Sequence, residues 1–496
     1  RTINRQKVKM KKALLVNLPR YDTIAPSSAM GILAGLCENH DWDYDIVDIS
    51  YEIKSRLTVD ENFEIDNWLT FIIPEIKPET EQKLLDIWRS LVVDVANDYN
   101  LVCASIFTYW TLPIARLFLT DYQENIAATT PIVTGGNGTL SAFPDTKQRF
   151  YDWATENKIV DYVIVGEAET PFTELLKGNT TGPGINNENF IQEENLDRFP
   201  LPSYKKFNMS NYSGTTLYVT GSRGCVRRCT FCDIQNMWPK FRFRSAESLV
   251  QEIVKHYYET GIERYEFTDS LINGSTSNFY KFNSLLAEEK AKNNDLKNIN
   301  YVGQAIVRPK NQMPEYHYEA MYHAGCRQVT IGIESFSESV RDHMLKKFSN
   351  EDIMYHAQQC SYWGIRNVWL MIVGYPTETI EDHMDNMRGL ETYKKYAQQG
   401  IIELMRWGTS MHLIEDTPIA DPQMLRDLEI NKTHQSSNST ATDWHYNWVS
   451  NKNPSLDLKE RIRRRMELHY ESVRLGYPQP RVIEELKIVN ALADHI

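Results

Sequence analysis

Short apolar runs recur along the first part of the chain, and stretches with helical spacing follow them. Residues 13–18 read as a strand, 30–38 as a helix, 44–49 as a second strand, 101–107 as a third, 131–134 as a fourth and 162–165 as a fifth. This βα alternation predicts an open parallel sheet, which would bind ligands beyond the carboxyl ends of its strands. Residues 51–96 are too long for an ordinary connection and read as a helical insertion. Gly, Asn and Pro then crowd residues 178–202 and break the periodicity, as a linker does.

A second alternating series follows, with strands at 217–220, 265–268, 301–305, 329–333, 367–373 and 401–405. Between the first two of these, Leu249, Val250, Ile253, Val254, Tyr257 and Tyr258 share one helical face behind Ser245 as N-cap. About six βα units predict a parallel barrel that is not fully closed, with active residues at the carboxyl ends of its strands. Beyond residue 415 the strand pattern stops. Residues 433–442 read as a polar loop and 456–475 as one charged helix, with Arg461, Arg463, Arg464 and Arg465 on a solvated face. The expected fold class is α/β: an N-terminal open parallel sheet at 10–180, a linker at 181–210, a partial (β/α)6 barrel at 211–415 and a C-terminal helical extension at 416–496.

With 496 residues the chain exceeds one ordinary domain. Its net charge of −12 disfavours nucleic acid as a partner, since binding phosphates needs a basic face. No apolar run approaches the roughly 18 residues of a membrane helix. The basic residues Arg1, Arg5, Lys7, Lys9, Lys11 and Lys12 precede an apolar run too short for a signal-peptide core. Cys37, Cys103, Cys326 and Cys360 are scattered in apolar surroundings and read as buried thiols. So few cysteines in a long chain suit a reducing compartment, here the cytoplasm.

The remaining cysteines are clustered in Gly224-Cys225-Val226-Arg227-Arg228-Cys229-Thr230-Phe231-Cys232, just after the first strand of the second series. Thiolates are soft ligands for iron–sulfur clusters or zinc. Three thiolates on a [4Fe–4S] cluster leave one iron open, and chemistry at a metal needs an open position. Zinc would require a fourth ligand, which the loop itself lacks; a distant one such as His256, or a role as redox-active thiols, stays open.

CxxxCxxC with an aromatic residue before the last cysteine resembles the signature of the radical S-adenosylmethionine (SAM) superfamily. The resemblance implies that Cys225, Cys229 and Cys232 hold a [4Fe–4S] cluster, whose open iron chelates SAM and cleaves it reductively to a 5′-deoxyadenosyl radical. It also implies roles at the strand ends. Thr268-Asp269-Ser270 lies where the family contacts the SAM amino group, with Asp269 as the carboxylate. Gly332-Ile333-Glu334-Ser335 resembles the segment whose Glu accepts from ribose hydroxyls. Gln304 and Arg308 follow the third strand, Arg308 facing the SAM carboxylate, and Gly374-Tyr375-Pro376 resembles the turn beside the adenine.

The first domain resembles the cobalamin-binding, Rossmann-like domain that precedes the barrel in one large radical SAM subclass. Leu14 to Pro19, Ser28 to Ala34, Thr134-Gly135-Gly136 and Gly166-Glu167-Ala168-Glu169 carry that resemblance. It implies that Ser105, Thr108, Thr134, Gly135 and Gly136 line a corinoid site, the glycines letting backbone approach a bulky ligand. The DxHxxG motif that supplies an axial histidine is missing, which leaves open a domain that kept the fold without the cofactor.

The leading expectation is cobalamin-dependent methylation of an unreactive carbon in a small-molecule or peptide substrate, with flavodoxin or ferredoxin as electron donor. Cobalamin-independent rearrangement, oxidation or cyclisation is the alternative. A non-catalytic iron–sulfur or zinc-binding interaction protein is a third reading. An RNA methylthiotransferase would need a second three-cysteine cluster in the first domain, where only Cys37 and Cys103 occur. Trp407, His412, Trp444, His445, Tyr446 and Trp448 are candidates for shaping the substrate pocket.

Overall fold

Five strands, most of their residues shielded from solvent, open the chain: β1 (Lys12–Asn17), β2 (Asp43–Asp48), β3 (Leu101–Ser105), β4 (Ile132–Gly135) and β5 (Tyr162–Ile164). In the computed structural model, which describes residues 10–19, 23–125, 130–189, 192–414, 417–432 and 448–478, they form one sheet in the order β2-β1-β3-β4-β5. Every pairing in it is parallel. Side chains alternate between the faces. Leu14, Val16, Val102 and Ala104 join one core with Ile65, Leu84, Trp88 and Phe118. Ala13, Leu15, Leu101 and Cys103 join the other with Met30, Ala34 and Phe172. The 51–96 insertion is helical, with helices Ile49–Arg56, Val59–Leu69 and Pro78–Trp88, and it covers the first of these faces.

The chain divides into two compact units, Arg1–Tyr218 with Gln251–Arg264, and Val219–Val250 with Tyr265–Ile496. The second sheet begins with β6 (Thr216–Val219). A short antiparallel ribbon follows, β7 (Ser222–Arg223) with β8 (Arg242–Phe243). The sheet continues with β9 (Arg264–Phe267), β10 (Asn300–Ala305), β11 (Cys326–Glu334), β12 (Arg366–Val373) and β13 (Ile402–Ser410). Its order is β13-β12-β11-β10-β9-β6, and β10 to β13 pair in parallel. Six strands in sequential order, with β13 and β6 at the outer edges among the described residues, match the expected incomplete barrel. The helix after the ribbon spans Ala246–Thr260, and the Ser245 hydroxyl accepts from the Ser248 N–H at 3.2 Å. Among the described residues no helix is long and apolar enough to cross a membrane.

Two expectations for the C-terminal region fail. Strands do not stop near residue 415: β14 (Ile430–Lys432) and β15 (Trp448–Ser450) form an antiparallel pair. Helix Leu458–Arg474 does not turn all four arginines to water. Arg463 is exposed and pairs with Glu460 and Glu467, but Arg461, Arg464 and Arg465 are buried. Each buried guanidinium finds a partner that spacing cannot reveal. Arg461 stacks on the Trp448 ring at 3.8 Å and donates to the Trp448 and Leu456 carbonyls. Arg464 pairs with buried Glu378 at 3.0 Å, and Arg465 donates to the Trp407 carbonyl. Trp407 and Trp448 are core residues, donating to the Ser472 hydroxyl and the Met411 carbonyl. His412 is half-buried. Trp444, His445, Tyr446 and the 433–442 loop lie outside the described residues.

Candidate active site

The cysteine loop is closed at its base by the β7–β8 ribbon, which pairs Ser222 with Phe243 and Arg223 with Arg242. Within it, the Arg227 N–H points at the Cys225 sulfur at 3.4 Å. The Gln235 amide donates to the Cys225 and Arg227 carbonyls, and the Cys232 N–H donates to the Cys229 carbonyl at 3.2 Å. All three cysteines are free and half-buried. Between them, Thr230 turns inward and fastens the loop. Its N–H donates to the Met344 carbonyl, its carbonyl accepts from Ile419, and its hydroxyl meets that of Tyr375 at 2.8 Å. Tyr375 donates on to the His343 carbonyl.

Burial pushes the Cys229 thiol up to about 11, and the nearby Lys346 ammonium works against that rise. Burial also raises Cys232, opposed by an N–H from Ile234. Among the described residues no three His, Cys, Asp or Glu side chains converge to chelate a single ion. A cubane does not need such convergence, because each thiolate binds its own iron.

The predicted strand-end residues of the second unit lie along the carboxyl edge of its sheet, in different environments. Glu334 ends β11, is buried, and has a positive φ of 66°. Its carboxylate pairs with the equally buried Lys346 at 2.7 Å. Arg308 is buried and donates to the Asn273, Gly274 and Gln312 oxygens, while its Nε has no partner. Burial lowers its pKa, Arg227 lowers it further, and Cys225 opposes both. Gln304, within β10, is exposed. The Gly374 N–H donates to Glu378, and a Cβ at that position would meet the Arg461 side chain at 2.5 Å, so this turn is covered by the C-terminal helix.

Asp269 is buried and accepts from the Gly221 N–H at 2.8 Å, with Ser222 also donating to it. It faces a cavity lined by Phe241, Phe243, Phe267, Phe279 and Phe282. Asp269 thus holds the strand-to-loop turn just before the cysteines. Burial raises its carboxyl to about 7, against those hydrogen bonds. Since that value lies above the unfolded one of about 3.9, the folded protein binds the proton more tightly, and stability falls as pH rises toward 7. Between pH 5 and 8 the wild type should lose about 2–3 kcal/mol relative to Asp269→Asn. Urea midpoints of both proteins across that range check this; parallel pH profiles would contradict it.

In the first unit, Asn17, Ser105, Gly135 and Ile164 lie in register across the carboxyl edge of the sheet. Ser105 is half-buried, and Thr134 is buried with no partner for its hydroxyl among the described residues; the Asn17 Oδ1 is likewise buried and unpartnered among them. Thr108 caps the short turn Tyr109–Thr111. Gly136 has φ +111°, and a Cβ there would lie 2.4 Å from the Ile106 carbonyl oxygen. Its missing side chain therefore lets two loops pack, and this contact with Ile106 has no sequence signature. Phe107, Tyr109, Trp110 and Leu140, on the same loops, are exposed. Lys346 was missed, and Tyr375 and Thr230 were read only as members of motifs, because their mutual contacts at the site exist only in the fold. The aromatic Phe231 and the Gly332-Ile333-Glu334 run were the nearest readable signals.

Residues 219–388 match the Radical SAM superfamily. An uncharacterized methyltransferase of Pyrococcus horikoshii is 27% identical over 242 residues, 45% of this chain and 51% of its own length. A putative methylthiotransferase of Methanocaldococcus jannaschii is 28% identical over 251 residues, again 45% and 51%. The chain thus spans about half the length of the curated relatives it matches. In fold it resembles the radical SAM methyltransferase TsrM of Kitasatospora setae, solved with cobalamin and a [4Fe–4S] cluster bound. The TM-score is 0.62 at 15% identity, covering 92% of this chain and 89% of that one.

Proposed function

We propose, from the match of residues 219–388 to the Radical SAM superfamily, that this chain is a radical SAM enzyme that methylates an unreactive carbon with the help of a corinoid. The observation that carries the reading is the cysteine loop itself. Three free, half-buried thiols stand at the carboxyl edge of a parallel sheet, on a turn pinned through Thr230. When bound, a [4Fe–4S] cluster there supplies one electron to SAM at its open iron, and a corinoid supplies a transferable methyl group.

The chain's own residues orient these groups and exclude water. Cys225, Cys229 and Cys232 hold the cluster. Arg308, a buried cation with no carboxylate partner among the described residues, suits the SAM carboxylate. Glu334 has a second carboxylate oxygen for ribose hydroxyls, and Gln304 offers an exposed amide. Asp269, fully engaged with Gly221 and Ser222, suits positioning of the loop better than direct contact. The substrate class is a small molecule or peptide, the electron donor a flavodoxin or ferredoxin, and the compartment the reducing cytoplasm. Methylthiotransfer is not favoured, because Cys37 and Cys103 are buried core thiols and the first unit has no third cysteine.

For the corinoid, the exposed rim of Phe107, Tyr109, Trp110 and Leu140 suits a bulky, partly apolar ligand. The unpartnered Thr134 hydroxyl offers a hydrogen bond. Thr134→Val removes that hydroxyl at nearly constant shape. It should leave the ligand-free protein at least as stable, since a buried hydroxyl without a partner is a burden. It should weaken retention of hydroxocobalamin about tenfold, the worth of one hydrogen bond of about 1.4 kcal/mol. Equal retention by both proteins would remove Thr134 from the site. The packing of Gly136 against Ile106 favours a second reading, a radical SAM enzyme without cobalamin. No retention by wild type, with SAM cleavage intact, selects it.

A further inference from the structure

Lys346 lies twelve residues beyond Glu334, in a turn between helices Glu338–His343 and Asn350–Trp363. Its neighbours Leu345 and Lys347 have φ of 61° and 51°, so the backbone is held in a conformation that these residues rarely adopt. The Lys346 N–H donates to the Arg341 carbonyl at 2.9 Å, and the Met344 carbonyl receives the Thr230 N–H of the cysteine loop. The turn that delivers this lysine is therefore tied to the loop that presents the thiols.

The ammonium itself is buried. It pairs with Glu334 at 2.7 Å, donates to the Gly332 carbonyl at 3.1 Å, and sits 5.6 Å from the centre of the Phe231 ring, between Cys229 and Cys232 in sequence. A Cβ at residue 332 would come within 2.2 Å of the Glu334 carboxylate and 2.8 Å of the ammonium, so only glycine leaves room for the pair. Other charges around the loop are Arg227, Arg228 and Asp233 within or beside it, and Arg308 and Glu334 facing it. The Lys346 ammonium acts electrostatically on all three thiols, Cys225, Cys229 and Cys232. Burial disfavours its charge, yet the Glu334 carboxylate and the Cys229 and Cys225 thiols hold it above the ordinary lysine value. A buried ion pair is a poor way to gain stability alone, because desolvation offsets much of its attraction.

We propose that Lys346 is a positioning residue that acts as counter-cation to the cysteine loop, its fixed ammonium stabilising negative charge on the group bound by Cys225, Cys229 and Cys232. This rests on the proposed [4Fe–4S] cluster. One-electron reduction adds a negative charge to the cluster, and a nearby buried cation favours the reduced form. Lys346 thus raises the reduction potential, and Glu334 tempers it.

The test is a redox titration of the anaerobically reconstituted protein without SAM, poised with dithionite and viologen mediators and read by electron paramagnetic resonance. Lys346→Met should bind the same iron and sulfide as wild type but move to a more negative potential. The reduced-to-oxidised ratio at a fixed potential should fall about tenfold, which is about 59 mV for a one-electron couple. Lys346→Arg should stay close to wild type. Glu334→Gln should shift in the opposite direction, and it carries the test if Lys346→Met does not fold. Unchanged potentials in the folded variants, with full clusters, overturn the proposal alone. A wild-type protein that builds no [4Fe–4S] cluster overturns the cluster reading, and this one with it.

Discussion

Cys229→Ala, reconstituted anaerobically with iron and sulfide, is expected to lose the cluster and to form no 5′-deoxyadenosine above background. The middle cysteine is the one most engaged by its surroundings. It stands beside the pinned Thr230, its thiol is raised to about 11 by burial, and both Lys346 and Glu334 act on it. A thiol this reluctant to ionise loses its proton to solvent as a metal takes its place on sulfur, so ligation and proton release are coupled there. Replacing it with alanine removes one small, half-buried side chain. The fold should survive, and circular dichroism should match wild type. Loss of iron and of cleavage together, with the fold intact, assigns the loss to ligation. A normal cluster spectrum with cleavage in the variant would mean that Cys229 is no ligand.

Arg464→Met should be the most destabilising change outside the loop. Arg464 and Glu378 are both buried and pair at 3.0 Å, and Glu378 also receives the Gly374 N–H. Burial already raises the Glu378 carboxyl, with Gly374 and Arg464 holding it down. Without the guanidinium a buried carboxylate is left stranded, which costs about 3–5 kcal/mol. Because Gly374 leads into Tyr375, whose hydroxyl meets Thr230, loosening there should also speed loss of iron from the loop. Urea unfolding checks the first effect, and the rate of iron release to a chelator the second. The double variant Glu378→Gln with Arg464→Met should recover most of the stability, since no charge is then stranded. Unfolding curves that coincide for wild type and Arg464→Met would show that the pair does not anchor the turn.

Much of the fold was legible because strands shielded by their neighbours write themselves as apolar runs. The runs at 13–18 and 101–107 became β1 and β3, and the six runs of the second series became the six strands of one sheet. The two-residue strands β7 and β8 were not legible, since their pairing is set by the loop they close. Neither was the pair β14 and β15, whose partners are 16 or more residues apart. The arginines of the last helix show where composition misleads. A guanidinium can be buried when carbonyls, a carboxylate and a tryptophan ring wait for it, and Arg461, Arg464 and Arg465 each meet such partners from distant segments. At the site, the cysteines and Glu334 were readable as motifs, but Lys346 was not. Its approach to the loop depends on a turn with two positive φ values and on a glycine four strands away in sequence order from β7. Gly136 was readable as a glycine, but its packing against Ile106 was not, because Ile106 is a partner that only the folded loops supply.

The central claim is tested most directly by reconstituting the wild-type chain anaerobically, counting iron and acid-labile sulfide, and following SAM after reduction with dithionite. The account predicts four irons and four sulfides per chain, as a [4Fe–4S] cluster requires, with methionine and 5′-deoxyadenosine formed in equal amounts. A fully metallated, folded protein that forms no 5′-deoxyadenosine under reducing conditions, or one that binds only zinc, would contradict it.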